Sequence, residues 1–339
     1  MPIELRTPPG PSPRRRRLLT ALIRFGVLTA ASVFAIVCAE YILRFEFRSA
    51  RTSGNARDYI GRNSRWSPGP SNRLGFRERE IPPKSPTRFR IVVVGDSFTW
   101  GQGIEREERY SNRLEQMLGA RYEVLNFGIP GDNMPEHLTR LAQALEVAPD
   151  FVLLQLYIND FETTEMSRPR PYPLAPAWLD TQLLQSSLLF QLLQNQWAHF
   201  QEAVGITESY NDYMARNLRD PAASNARKAF GQLREFFDRT RAAHIAAGAV
   251  LFPATDALGP HGAGYPFGYL HDGVRDICAA EHIRCLDLLP LFSTFADARV
   301  AWVSAFDAHP NAMANQLAAD EILKTFQSAW RRDGGIALR

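Results

Sequence analysis

Ile91-Val92-Val93-Val94-Gly95-Asp96-Ser97 is the stretch that decides the fold. Four consecutive apolar residues run straight into a glycine turn that carries an aspartate and a serine. An all-apolar run of this length reads as a strand covered on both faces. A serine just past its carboxyl end sits where open α/β sheets carry out their chemistry. Working outward, further apolar runs of strand length fall at 89–94, 122–127, 151–157, 249–252 and 283–288. Helical patterns fall between and after them, near 106–118, 135–147, 222–246, 269–281 and 311–330. Strands alternating with helices predict parallel pairing through right-handed crossovers, hence a three-layer α/β/α sandwich on a five-stranded parallel sheet.

Three further patches follow the serine in order. Asn126-Phe127-Gly128-Ile129-Pro130-Gly131-Asp132-Asn133 lies after the second strand, and Tyr157-Ile158-Asn159-Asp160 after the third. Asp307-Ala308-His309-Pro310-Asn311 precedes the last helix. Serine is a weak nucleophile until a base takes its proton and donors hold the resulting oxyanion. Ser97, with a late Asp/His pair, therefore points to acyl chemistry of the Ser-His-Asp kind. Asp307 and His309 are two apart. In an extended loop such residues face the same way, so the carboxylate can reach the ring. Asp96 reads as structural, bonding loop amides.

In that order, the patches resemble the blocks of the SGNH (GDSL-type) hydrolases, over roughly residues 88–330. The resemblance implies a flavodoxin-like SGNH fold and an esterase working without a cofactor or metal. It implies Ser97 as nucleophile, His309 as general base and Asp307 as its orienting acid. The oxyanion donors it implies are the Ser97 amide, the Gly131 amide and the Asn159 side chain. Gly128 competes with Gly131, but the following Asp132 favours Gly131. Two departures stand out: Tyr157 replaces the glycine usual before Asn-Asp, and Phe306 occupies the place where the family usually has its aspartate. The substrate expected is an extracytoplasmic ester, an acetylated glycan or a lipid. An O-acetyltransferase using the same residues is a second reading; polysaccharide-acetylating relatives share the Asp-x-His spacing, although in the alginate type that pair precedes the serine. A non-catalytic binding protein on the same fold is a third.

The remaining sequence sets the context. The chain has 339 residues and a formal charge of +3, with much of the basic excess in the run Arg14 to Arg17. That balance predicts no nucleic-acid partner. No zinc-type or phosphate-loop spacing occurs. Residues 1–17 read as a basic, disordered cytoplasmic tail. Residues 18–44 are mostly apolar, with a clean core at 25–39 between Arg24 and Glu40, whose side chains can snorkel to extend the span. Arginines before this segment predict a single-pass signal anchor in a bacterial inner membrane, with the catalytic domain periplasmic. A cleaved signal peptide, from the loose site Val37-Cys38-Ala39, and a lipoprotein are the rivals.

Residues 45–87 read as a tether and lead-in. Within them Asn72-Arg73-Leu74-Gly75-Phe76-Arg77 resembles the approach segment of membrane-anchored members, and is expected to form a surface strap or a substrate-contacting arm. Residues 88–332 form the hydrolase domain, interrupted at 161–221 by a segment with no place in the sheet. That segment predicts a lid, a membrane-facing patch or a packed helical decoration. Cys278 and Cys285 can pair in an oxidising compartment or serve as small buried residues. His137 has no motif around it, and His261 and His271 read as parts of a solvated loop.

Overall fold

The computed structural model describes residues 13–49, 71–168, 171–304 and 307–330. Much of the basic tail and of the tether therefore lies outside the described residues. The chain opens with helix α1 (Pro13–Ser49), longer at both ends than the apolar segment, so the arginine run is helical. Its stretch from Arg17 to Phe45 is long and apolar enough to cross a membrane.

The domain then alternates as its pattern demands. β1 (Phe89–Gly95) leads through the single turn α2 (Ser97–Trp100) to α3 (Tyr110–Leu118) and β2 (Tyr122–Gly128). α4 (Met134–Glu146) leads to β3 (Phe151–Leu156). The insertion holds α5 (Ala177–Ser186), α6 (Leu188–Ala203) and α7 (Tyr210–Leu218). α8 (Ser224–Ala242), β4 (Ala246–Leu251), α9 (Gly268–Ala280), β5 (Arg284–Asp287) and the turn α10 (Leu289–Phe292) follow. The short strands β6 (Trp302–Ser304) and β7 (Asp307–Pro310) precede α11 (Ala312–Phe326).

The five main strands form one sheet in the order β2-β1-β3-β4-β5, every neighbouring pair parallel. Alternation across the pleat divides the core. Val92, Val94, Val152 and Leu154 face α4, α8 and α9, which contribute Leu141, Leu233, Phe236 and Val274. Ile91, Val93, Val124 and Leu153 face α3 and α11, which contribute Leu114, Ala318 and Ile322. The sheet is thus covered on both faces, as its all-apolar strands require.

Two boundaries differ from expectation. The helix expected to run to residue 246 stops at Ala242, because His244 takes a left-handed φ of 57°. The freed Ala246 and Ala247 then pair with Phe151 and Val152, so β4 begins earlier than its apolar run. The β6–β7 hairpin was not expected at all. Two strands this short carry no periodic signal.

The lead-in at 72–77, expected as a surface strap or a substrate-contacting arm, exposes Arg73, Leu74 and Gly75 and anchors itself through buried Asn72 and Phe76. Phe76 is buried and stacks on Phe127 with ring centroids 4.0 Å apart. Arg77 donates to the carbonyls of Trp100, Gly101 and Ile104 at 3.3, 2.9 and 3.0 Å, gripping the loop that follows α2. Beneath that loop runs a buried polar network. The Asp96 amide and the Thr99 hydroxyl both donate to Gln155 Oε1. The Thr99 and Tyr110 hydroxyls lie 2.6 Å apart. The Tyr110 amide donates to Asn315 Oδ1 at 2.9 Å, and Asn315 Nδ2 donates to the Pro310 carbonyl at 2.8 Å. Directional bonds of this kind favour one geometry, since a slip strands a further polar group away from water; among the described residues Gln155 Nε2 and the second Asp96 carboxylate oxygen already have no partner.

Gly95 and Gly128 are register partners where β1 and β2 end. A Cβ on Gly128 would meet the Trp100 amide nitrogen at 2.3 Å, a backbone contact with no side chain to swing away. Gly128→Ala is expected to lower stability by about 3 kcal/mol, read as a fall in the urea midpoint. Gly131→Ala meets only open space and loses about 1–2 kcal/mol for its left-handed φ. Equal losses would sink this packing account.

Candidate active site

The switch point of a 2-1-3-4-5 sheet lies between β1 and β3, and the loops leaving those two strands line its crevice. α2 starts here. Asp96 caps it, accepting the Phe98 amide at 2.9 Å, which leaves Ser97 at the first helical position with its hydroxyl turned into the crevice. The Ser97 hydroxyl lies 2.8 Å from His309 Nε2. His309 Nδ1 lies 2.5 Å from Asp307 Oδ1, and the same oxygen accepts the His309 amide at 3.0 Å. The second Asp307 oxygen accepts from Gln102 Nε2 at 3.2 Å. With Nδ1–H donated to the carboxylate, Nε2 is left as an acceptor for the serine proton.

The Asp-x-His spacing works because both residues lie on β7, where alternate side chains share a face. Asn311 closes the block by capping α11: its Oδ1 accepts the Ala314 amide, and its Nδ2 donates to the carbonyls of Val300 and Trp302. Phe98 packs beneath the imidazole, centroids 5.2 Å apart, and stacks on Tyr157 at 4.3 Å. Tyr157, standing in the usual glycine position, therefore walls the crevice.

The glycines of the second patch divide their work. The Gly128 amide is already spent on Asn126 Oδ1 at 3.0 Å. Gly131, with a φ of +80°, faces open space, and among the described residues nothing accepts from its amide. Asn159 sits on the tight turn from Ile158 to Phe161 just after β3. That turn is fixed from below: Asp160 accepts the Tyr157 amide at 2.6 Å through one oxygen and pairs with His137 Nε2 at 2.9 Å through the other.

Electrostatics follow from burial. Burial disfavours the His309 imidazolium, but the hydrogen bond and charge of Asp307, with Asp96 and Asp256 beyond, outweigh it, so the pKa is raised above 6.5. Burial, reinforced by repulsion from Asp160, pushes the Asp96 carboxyl up. Burial likewise raises Asp160, against the pull of His137.

His137 and His271 are two residues whose surroundings the sequence did not disclose. His137 is fully buried on α4 against Asp160. His271 is also fully buried, not part of a solvated loop: it sits on α9 between Asp287 Oδ1 at 2.8 Å and the Tyr265 hydroxyl at 3.0 Å. Tyr265 in turn accepts the Ala254 amide and so shapes the loop after β4. The spacing of helix α4 places His137 on its apolar face, which was the available signal. Cys278 and Cys285 are free thiols. Among the described residues no group of three or more His, Cys, Asp or Glu side chains is arranged to hold a metal ion.

The comparisons with known proteins fall on this framework. A family model described as the GDSL-like lipase/acylhydrolase family matches residues 93–317. An acetylxylan esterase of Xylanibacter ruminicola is 31% identical over 96 residues, 26% of this chain. The match spans only 20% of that relative's length. Among solved structures, the acetyl xylan esterase AlAXEase is 18% identical with a TM-score of 0.43, covering 70% of this chain and 98% of its own. The psychrotrophic esterase EstA from Pseudoalteromonas sp. is 14% identical with a TM-score of 0.42, covering 71% and 97%. The family match runs from β1 into α11 and takes in Ser97, Gly131, Asn159 and His309, so the chain belongs to the GDSL-like lipase/acylhydrolase family.

Proposed function

We propose that this chain is an esterase of the SGNH type that works through an acyl-enzyme on an ester outside the cytoplasm, held at the membrane by α1. The observation that carries the reading is the unbroken line from Ser97 Oγ through His309 to Asp307. Ser97 Oγ attacks the ester carbonyl while His309 Nε2 takes its proton. The oxyanion that forms is met by the amides of Ser97 and Gly131 and by Asn159 Nδ2, groups poised where charge develops. Collapse breaks the bond to the alcohol, which leaves with the proton from His309. Water, losing its proton to the same nitrogen, then attacks the acyl carbon; the bond to Ser97 Oγ breaks, the serine takes the proton back from His309, and the acid leaves. Asp307 holds the ring in its productive tautomer and steadies the imidazolium.

For the setting, residues 18–44 serve as the anchor, the following segment as tether and lead-in, and residues 88–332 as the catalytic domain, with 161–221 inserted. The arginine run at the start of α1 favours a cytoplasmic N-terminus and so supports a periplasmic domain. An acetyl ester on a glycan is the favoured substrate. The partial match to an acetylxylan esterase supports it.

Fluorophosphonate labelling of the full chain tests the mechanism. Wild type is expected to label, and Ser97→Ala and His309→Ala to lose labelling and at least ~10³-fold in ester hydrolysis while keeping the wild-type circular dichroism spectrum. Undiminished turnover in Ser97→Ala would end the reading. Adding a sugar acceptor to an activated acetyl ester separates hydrolysis, where all product goes to water, from acetyl transfer. The pH dependence supplies an independent check. The base must be neutral, and its pKa is raised, so kcat/KM should fall as pH drops through a value above 6.5. Asp307→Asn removes the main raising influence and should move that acid limb to lower pH. An unmoved limb would remove Asp307 from the role.

A further inference from the structure

Large exposed apolar side chains concentrate on α1 and on the insertion. On α6, Leu193, Trp197, Phe200 and the capping Val204 recur at helical spacing, so they share one face. Trp197 and Phe200 stack with centroids 5.5 Å apart, while Leu193, Phe200 and Val204 are about half exposed. Trp178 on α5 is 72% exposed. Burying four such side chains offers several kcal/mol, at about 1.5–3 kcal/mol each. Leaving them in water needs a reason.

The reason lies in how α1 meets the insertion. Residues 18–37 of α1 stand clear of the domain throughout; at ~1.5 Å per residue they are about 30 Å long, one hydrocarbon thickness. Partial burial begins at Cys38, and Glu40 and Arg44 supply polar contacts just beyond it. Glu40 accepts the Leu188 amide at 3.1 Å, the Leu189 amide at 3.0 Å and the Ser187 hydroxyl at 2.9 Å, capping α6. Arg44 donates to Glu40 at 2.7 Å and to the Ser186 carbonyl at the end of α5 at 2.8 Å. The α5–α6 corner is therefore pinned to α1 at the level where the free run ends.

We propose that the apolar face of α5–α6 beds in the headgroup–acyl boundary of the bilayer that α1 crosses, with Glu40 and Arg44 setting its depth. The inference rests on reading α1 as a membrane span. A bilayer is favoured over a second copy of the chain because the corner is pinned at bilayer level whatever else binds. Exposed tryptophan is also the residue type that interfaces favour. Residues 177–206 contain no lysine or arginine and only the acids Asp180 and Glu202. The attachment is therefore apolar, indifferent to salt and to anionic lipid.

The test reconstitutes the full chain in phosphatidylcholine vesicles with brominated acyl chains, which quench tryptophan only on near contact. Flotation is run in parallel. The expected result is quenching that is largely lost in Trp178→Phe and Trp197→Phe, unchanged by salt or by added anionic lipid, and reduced in Glu40→Ala while that variant still floats. A chain that floats but shows equal emission in brominated and plain vesicles overturns the bedding and leaves the anchor standing. Equal emission with a cross-linked dimer gives the face to a second copy, which also overturns it. A chain that does not float overturns the anchor reading and the bedding together.

Discussion

A 2.8 Å contact between Ser97 and His309 joins residues at opposite ends of the domain, and it survives only if the loops carrying them cannot drift apart. The constraint that prevents drift is the buried polar network beneath them. Thr99, two residues past the serine, touches Tyr110; the Tyr110 amide is held by Asn315; and Asn315 holds the carbonyl of Pro310, next to His309. Each link is buried, so breaking one leaves a donor or acceptor in a dry interior at about 1–3 kcal/mol. Hydrophobic packing of α3 and α11 on the sheet brings these elements together, but packing alone tolerates small slides. Directional bonds do not.

The same logic explains the lead-in segment. Polar, arginine-rich and proline-flanked, residues 72–80 read as surface material. Yet Glu78 is almost wholly buried, bonded to Arg106 at 2.6 Å and to the Asn126 amide at 3.2 Å, while Arg77 spans three carbonyls of the loop after α2. That loop follows Ser97 and has two left-handed glycines, Gly101 and Gly103, so it has little stiffness of its own. The arginine supplies it from outside.

What the sequence disclosed follows the range of the interactions involved. The parallel sheet was legible because each strand is a local apolar run, and the Asp307–His309 pairing because a two-residue spacing in extended chain is local geometry. The four site patches were legible as patches. Their convergence at one crevice is a property of strand order, which crossover rules constrain but residues do not display. His137, His271 and Glu78 were illegible because their partners, Asp160, Asp287, Arg106 and Asn126, come from other elements, and no local pattern marks a buried charge as paired. The β6–β7 hairpin was illegible because it is too short to have a period.

The insertion is best understood through its two ends. Its far end belongs to the domain: Tyr213, Met214 and Leu218 of α7 lie in the main core, and Tyr210 donates to Glu162 at 2.5 Å, three residues past Asn159. Arg168 ties the approach to α5 back to Glu202 near the end of α6. Its near end belongs to α1, through Glu40 and Arg44. A segment gripped at both ends by polar contacts and packed helices is a strut. Motion of α1 relative to the domain would have to break the cap on α6 or shift α7 in the core, and both cost more than bending an exposed loop.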